Sequence, residues 1–462
     1  MILADQVHED AAAGLLPSLG RWLSEVRFED LPEPVLVTAR RGLLDLFGVT
    51  LAAHDTPTAA VVSTLLQTTG GAGPASVLGL GRTTTPGAAA FANAAVGHAL
   101  DFDDVSHTLG GHPSVAIVPA ALALAEARGA SGADLLLAYA VGVEVETKLG
   151  RAVNFHHYDK GWHPTATLGG FGAAAACARL AGLDAEGAAT ALSLATAFAA
   201  GLKSSFGTMA KPLQVGRAAE AGITAALLAE HGASANPDAF EAKQGFGIVF
   251  NGAGAFDAAR ALEHLADPWD LDEPGLAFKR HPCCGGTHAA VDAALALRDG
   301  LGDVERIEVR IHPSRFAHLD RPQVGDDPLE AKFSLQYTVA LALLHGRVEL
   351  GHFTADALGD PELVELAGKV VAGPLPPART GPERFAAEVV VVRTDGSRAE
   401  QRLERPIGRT PETRLSDADM EDKFRACAAP LIGPDACDEV AGLVWGIEHV
   451  ADLTRLTELL RA

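Results

Sequence analysis

Positive charge is scarce in this chain. Its 462 residues hold 37 Lys and Arg against 59 Asp and Glu, a formal net charge of −22 with histidine neutral. Proteins that grip nucleic acid neutralise phosphates with clustered Lys and Arg, so this balance argues against a nucleic-acid partner. A small anionic substrate stays open, because the potential inside a cleft can oppose the net charge. Cysteine is scarce too, and odd in number: Cys177, Cys283, Cys284, Cys427 and Cys437. That excludes a disulfide framework and fits a reducing, cytoplasmic setting. Long apolar runs are missing. Gly, Asp, Glu or His interrupts each one before about 18 residues, so no transmembrane span and no membrane partner are expected. The first residues, "MILADQVHEDAAAG", have neither a basic start nor an apolar core, so no signal peptide is expected. Nucleophile elbow, phosphate-binding loop, His-Glu-x-x-His zinc motif and dinucleotide fingerprint are all absent.

What is abundant is alanine and apolar helix. With aromatics at only 5% of residues, helices in this chain can pack closely. From about 34 to 266 the pattern is helical: "VLVTARRGLLDLFGVTLAA", "GADLLLAYAVGVEVETKLG", "LGGFGAAAACARLAG" and "VGRAAEAGITAALLAEHG" are Ala-rich and bounded by Gly or Asp. Several are apolar on almost every face, as buried helices are. Near Leu276 the texture changes. "VERIEVRIHP" alternates like a half-buried strand, and "FAAEVVVVRTDGSRAEQRL" is a second strand signal with Asp395-Gly396 as a hairpin turn. "LEAKFSLQYTVALALLHG" and "DPELVELAGKVV" read as helices, and "VAGPLPPARTGPE" as a Pro-rich loop. The expected architecture is therefore mainly α with an α+β part: a helical domain over 1–276 and 406–462, and a smaller α/β domain over 277–405 inserted into it.

Polar residues gather in islands between these helices. The first, "DFDDVSHTLGGHPSV", holds Asp101, Asp103, Asp104, His107 and His112. It reads as a metal site, an acid/base site or a solvated loop. His112-Pro113-Ser114 leads into a helix, with Ser114 as the expected cap, and a helix start with its free N–H groups suits a carboxylate. The second island repeats the design, with His163-Pro164 before an Ala/Gly-rich helix. In the third, "FGTMAKPLQVGRAAEAG", Lys211 opens a helix that carries Arg217. A lysine there opposes the helix dipole unless an anion is near. The fourth, "FKRHPCCGGTHAAVDAA", offers Lys279, His281, Cys283, Cys284 and His288. Its spacing matches no common zinc pattern, so no metal is expected. Tyr337, one of three tyrosines, sits in an apolar helix and needs a hydroxyl partner.

Taken in order, "FANAAVGHALDFDD", "HPSVAIVPAALALAEA", "GWHPTATLGGFGAAAA", "FGTMAKPLQVGRAAEAG", "FKRHPCCGGTHAAVDAAL" and "AKFSLQYTVALALL" resemble the MmgE/PrpD family. The resemblance covers most of the chain. It implies a large helical domain with an α/β lid, a homodimer, no metal and no organic cofactor. It implies an enzyme that moves protons at a carbon next to a carboxylate of a di- or tricarboxylate. Dehydration comes first among the implied reactions, with epimerisation and decarboxylation as alternatives. A non-catalytic carboxylate-binding protein is the remaining reading. By similarity to decarboxylase members, the catalytic residues are Asp101, His112, His163, Lys211, His288 and Tyr337. His112 and His163 would serve as base and acid in either order. Lys211, helped by Arg217 or Lys279, would hold substrate carboxylates, and Asp101 would orient a neighbouring histidine. Asp104 and His107 join the substrate-binding set. The loop from Asp101 to His112 is one residue longer than in decarboxylase members, and the "HPCCGGTH" turn is nearer the epimerase branch.

Overall fold

The structure, a computed structural model, describes residues 14–323, 325, 327–380 and 384–462. The segment read above for a signal peptide, residues 1–13, and a piece of the Pro-rich loop, residues 381–383, lie outside the described residues. The fold is mainly helical with small sheets, and it divides into two units: Met1–Ala277 with Ser416–Ala462, and Phe278–Leu415.

The helices of the first unit that frame its core and site include α1 Leu15–Glu25, α2 Glu33–Ala52, α3 Pro57–Thr69, α4 Pro86–Gly97, α5 Ser114–Arg128, α6 Gly132–Val153, the four-residue α7 Pro164–Thr167, α8 Gly169–Leu180, α9 Ala185–Phe198 and α10 Ala210–Glu230. A small antiparallel hairpin, β1 Ala75–Val77 and β2 Arg82–Thr84, interrupts a stretch that the sequence pattern gives as helix throughout. Glycine and alanine set the packing. α8 touches α5, α6 and α10, and its residues Gly169 through Ala178 are all buried. A Cβ on Gly142 of α6 would stand 2.8 Å from the Gly172 carbonyl oxygen, and one on Gly172 would stand 2.9 Å from that of Gly142. The two backbones therefore touch, which larger side chains would forbid.

The second unit carries a four-stranded sheet of order β4-β3-β5-β6, with β3 Val304–Ile311, β4 Val370–Pro374, β5 Ala387–Arg393 and β6 Arg398–Leu403. β5 and β6 form the expected hairpin, with Gly396 at φ 82° in its turn. β4 corrects the sequence reading, which gives Val370-Val371 to a helix and the rest to a loop. The helix α13 Pro361–Gly368 stops at its glycine, and the two β-branched valines then pair in parallel with β3, Val309 opposite Ala372. Helix α11 His288–Leu297 lies against β5 and β6, and α12 Leu335–His345 packs on α11. The segment 406–415 stays with this unit. Phe278 N–H donates to the Gly408 carbonyl at 3.0 Å, and Ile407 N–H donates to the Asp292 carboxylate at 2.9 Å.

The chain then returns to the first unit as α14 Asp417–Ile432, which lies along α2, followed by α15 Pro434–Trp445 and α16 Thr454–Arg461. Among the described residues no helix is long and apolar enough to cross a membrane.

The contact between α6 and α8 gives a direct test. Alanine is worth up to about 1 kcal/mol over glycine inside a helix, but forcing a methyl group against a backbone carbonyl costs about 1–3 kcal/mol. Gly142→Ala should therefore lower the melting temperature. Gly442→Ala, on α15 where a Cβ meets nothing within 4 Å, should leave it unchanged or raise it. Equal shifts for both in a thermal melt would refute this account of the core.

Candidate active site

Four chain segments of the first unit bring their polar residues together: the end of α4, and the starts of α5, α7 and α10. The end of α4 comes first. His98 caps it, its N–H donating back to the Ala94 carbonyl. The chain then turns through Asp101, whose φ of 52° is rare outside glycine, though aspartate tolerates it better than most residues. Two residues later Asp103 and Asp104 point into the protein with 0% and 1% of their surface exposed. Neither is a solvated loop residue. The intervening loop closes on itself, Ser106 pairing with Gly111, and holds half-buried His107. His112 then donates its backbone N–H to Thr165 Oγ1 at 3.1 Å, which ties the start of α5 to α7.

The side chains form a row. His98 Nδ1 lies 2.8 Å from Asp103 Oδ2, and the same oxygen lies 3.3 Å from His112 Nδ1. His112 Nε2 is 3.7 Å from Asp101 Oδ1, which accepts a hydrogen bond from Lys211 Nζ at 2.6 Å. The His98 ring meets the His112 ring edge-on at 4.7 Å and stacks on the His163 ring at 5.8 Å. Phe206 stands edge-on to His163 at 4.9 Å, and the Lys211 ammonium lies 5.4 Å from the Phe206 ring centre. Asp101, His112 and Lys211 keep 13–14% of their side-chain surface exposed, while His98 and Asp103 keep none. The row thus runs from a sealed end to a partly open one.

The electrostatics differ along it. Burial lowers the His98 pKa to about 4, although Asp103 pulls it back up, so the ring is neutral at physiological pH. Burial, and then the neighbouring His98, Lys211 and His112, push His163 well below its usual value. Burial alone would raise Asp103, but the His112 and His98 imidazoles outweigh it and hold that carboxyl well below the usual range. Its neighbour goes the other way. Burial, with Asp45 and Asp103 nearby, lifts Asp104 well above the carboxylate range. Asp104 is bonded to the Ser114 hydroxyl, which also meets the Tyr139 hydroxyl. Ser114 therefore serves this buried network and does not cap its helix; Pro113 occupies the cap position.

His163 owes its protonation pattern to a residue the sequence reading passed over. Gln214 lies one helical turn beyond Lys211 on α10. Its Oε1 accepts the Leu202 N–H at 2.9 Å, which leaves the amide nitrogen 2.7 Å from His163 Nδ1. Nδ1 must then accept, and a neutral His163 carries its proton on Nε2. The sequence reading also passes over His98, and it names Asp103 in the first island but leaves it open between pocket wall and solvated loop. Glu146 of α6 is a further buried group, with no hydrogen-bond partner on either oxygen; burial and then Asp104 raise its pKa well above the usual value.

Arg217 and Asp104, both in the first unit, do not join the row. Arg217 pairs with Glu220 on an exposed face of α10. Six residues at about 100° each carry it some 240° around from Lys211, so it does not join that lysine. Asp104 does not present its carboxyl to a substrate, because Ser114 engages it behind the row. His288, Lys279 and Tyr337 belong to the second unit. His288 is buried with Nε2 3.2 Å from the Cys283 carbonyl, and burial, His281 and Lys279 lower its pKa. His281 itself is bonded to Asp292 at 2.9 Å, and Lys279 is buried. Tyr337 has the hydroxyl partner its setting requires: it donates to the His352 carbonyl at 2.6 Å. Among described residues the one trio close enough to share a cation is His98, Asp103 and His112, and a 2.8 Å hydrogen bond already joins two of its members.

Comparison with known proteins agrees over most of the chain. The model of the MmgE/PrpD N-terminal domain matches residues 17–259, and that of the MmgE/PrpD C-terminal domain matches residues 281–447. The chain is 33% identical to cis-aconitate decarboxylase of Homo sapiens over 394 residues, covering 81% of this chain and 79% of that protein. It is 26% identical to cis-aconitate decarboxylase of Aspergillus terreus over 480 residues, covering 98% and 96%. To 2-methylcitrate dehydratase of Salmonella typhimurium it is 28% identical over 153 residues, 30% of this chain and 32% of that protein. With both domain models matched in order, the chain belongs to the MmgE/PrpD family.

Proposed function

We propose that this enzyme is a lyase acting on a di- or tricarboxylate, and that it releases CO2 and protonates the carbon left behind. The observation that carries the reading is the row Asp103–His112–Asp101–Lys211, in which one imidazole stands between two carboxylates beside an ammonium group. Cleaving a carboxylate from carbon leaves an electron pair that must spread onto a neighbouring unsaturated carboxylate as an enediolate-like anion. Such an anion needs cations and hydrogen-bond donors fixed before it forms. Lys211, held by Asp101, supplies the cation. His163, neutral with a proton on Nε2, supplies a donor that carries no charge to be desolvated, a device known from other enolate-forming sites. His112, flanked by Asp103 and Asp101 at the partly open end of the row, is the ring placed to deliver a proton to carbon. The C–C bond breaks, CO2 departs, the proton passes from His112 to carbon, and solvent restores it.

Loss of CO2 is placed ahead of loss of water because the decarboxylase-named relatives align over most of both chains, whereas the dehydratase-named ones align over 153 residues. Epimerisation shares the same proton chemistry without bond cleavage. A homodimer and a cytoplasmic setting belong to the same reading.

His112→Gln and His163→Gln should each lower kcat by about 10²-fold or more, with circular dichroism unchanged. Near wild-type turnover in either would remove that residue from its role. In D2O, incubation with tricarboxylates should give CO2 and one deuterium on the product carbon, seen by NMR. Release of water without CO2 would make the enzyme a dehydratase, and deuterium uptake without consumption an epimerase. Light scattering after gel filtration should return twice the mass of one chain; a monomer would refute the dimer.

A further inference from the structure

We infer that Asp103, held by His98, is a positioning residue that fixes the tautomer of His112 and so selects Nε2 as the nitrogen that exchanges a proton with substrate. The inference rests on the role proposed for His112 and goes beyond it, because neither Asp103 nor His98 touches the open end of the row.

The argument begins with burial. Asp103 has none of its surface exposed, and an ionised carboxylate without water must be met by donors. Among the described residues its Oδ1 has no hydrogen-bond partner, so neutralisation falls on Oδ2, which faces two imidazole nitrogens. His98 Nδ1 is the first donor at 2.8 Å. A neutral His98 that donates from Nδ1 has an unprotonated Nε2, and that atom is buried without a partner. His98 can therefore do little but hold the carboxylate.

His112 Nδ1 stands 3.3 Å from the same oxygen. In the Nε2–H tautomer its lone pair would face the carboxylate lone pairs across that gap. His112 Nδ1 makes no hydrogen bond in this structure, but in the Nδ1–H tautomer a small turn of the ring would convert the contact into a charge-assisted hydrogen bond; catalytic hydrogen bonds in unliganded sites are often poorly aligned and tighten when substrate binds. The carboxylate thus pins the proton on Nδ1. Nε2 is left as the basic nitrogen, on the side of Asp101 and Lys211. When Nε2 gains a proton, the same carboxylate stabilises the imidazolium, so one buried charge sets both the direction and the ease of proton exchange. Asp–His pairs elsewhere lose on the order of 10⁴-fold in turnover when an amide replaces the carboxylate and the wrong tautomer results.

Three measurements test this. The ¹⁵N shifts of the His112 ring, read by long-range proton–nitrogen NMR, should report Nδ1–H in the wild type and a change towards Nε2–H in Asp103→Asn. Asp103→Asn should lower kcat at least 10²-fold with little change in KM. His98→Asn, whose amide nitrogen can replace Nδ1 as donor, should keep turnover within about tenfold, whereas His98→Leu should not; a merely structural role would not follow that order. An Nε2–H tautomer in the wild type would overturn the inference while leaving His112 as the acid/base group. The expected tautomer change with unaltered activity in Asp103→Asn would instead overturn the role of His112 and leave the positioning intact. Activity lost on dialysis against EDTA and restored by Zn²⁺ would make the trio a metal site and end the inference.

Discussion

A carboxylate with no exposed surface must be neutralised by whatever touches it, and Asp103 meets that requirement with two imidazoles. The organisation of the first unit around its site follows from this one constraint. His98 has to be at the last turn of α4 for its Nδ1 to reach Oδ2, so the chain must reverse within a few residues. It does so through Asp101 in the left-handed region, a conformation that costs an L-residue about 1–2 kcal/mol. That turn aims one aspartate outward at Lys211 and the next inward at His98. Spacing that would be incidental in a surface loop is here fixed at both ends by charge.

The scaffold that allows this is a set of helices brought unusually close. With Gly142 and Gly172 in mutual backbone contact, α6 and α8 leave no room between them for solvent, and the starts of α5, α7 and α10 converge above the sealed interior. Helix starts suit such a site because their first N–H groups and the dipole favour negative charge arriving there. The same dense packing makes unpaired charge intolerable. Asp104 and Glu146, fully buried and short of cationic partners, are pushed towards their neutral forms, while Asp103 one residue away stays ionised. Two adjacent aspartates are thus shifted in opposite directions because one faces imidazoles and the other faces a hydroxyl and a second carboxylate.

That inversion marks the limit of what the sequence can disclose. Asp101, His112, His163 and Lys211 were legible because polar residues stand out against apolar, Ala-rich helices, and because two His-Pro steps before helices repeat one design. The helical bulk, the β5–β6 hairpin and the change of texture near 277 were legible for the same reason: periodicity and turn chemistry are local properties. Whether Asp103 or Asp104 meets a histidine depends on how the chain turns at Asp101, which no local pattern encodes. His98 is hidden inside "AVGHAL", where it reads as the polar end of an apolar helix. Gln214 needed the helical angle from Lys211, and that angle also separates Arg217 from the site. β4 was lost because its five residues, which end in Gly373-Pro374, carry too little periodicity to outweigh the helix before them.

The contrast between the two ends of the row bears on chemistry more than on stability. A buried charge pair seldom adds net stability, since desolvation offsets the attraction, so its retention calls for another reason. At the sealed end the reason is directional: neutral His98 and ionised Asp103 can only orient His112. At the open end Asp101 and Lys211 keep some contact with solvent, so their pairing can loosen when a carboxylate arrives and competes for the ammonium. The row therefore separates a rigid part, which decides where the proton sits, from a yielding part, which meets the substrate. A proton-transfer site needs both, because the nitrogen must be fixed before reaction while the substrate's charge must still be able to enter.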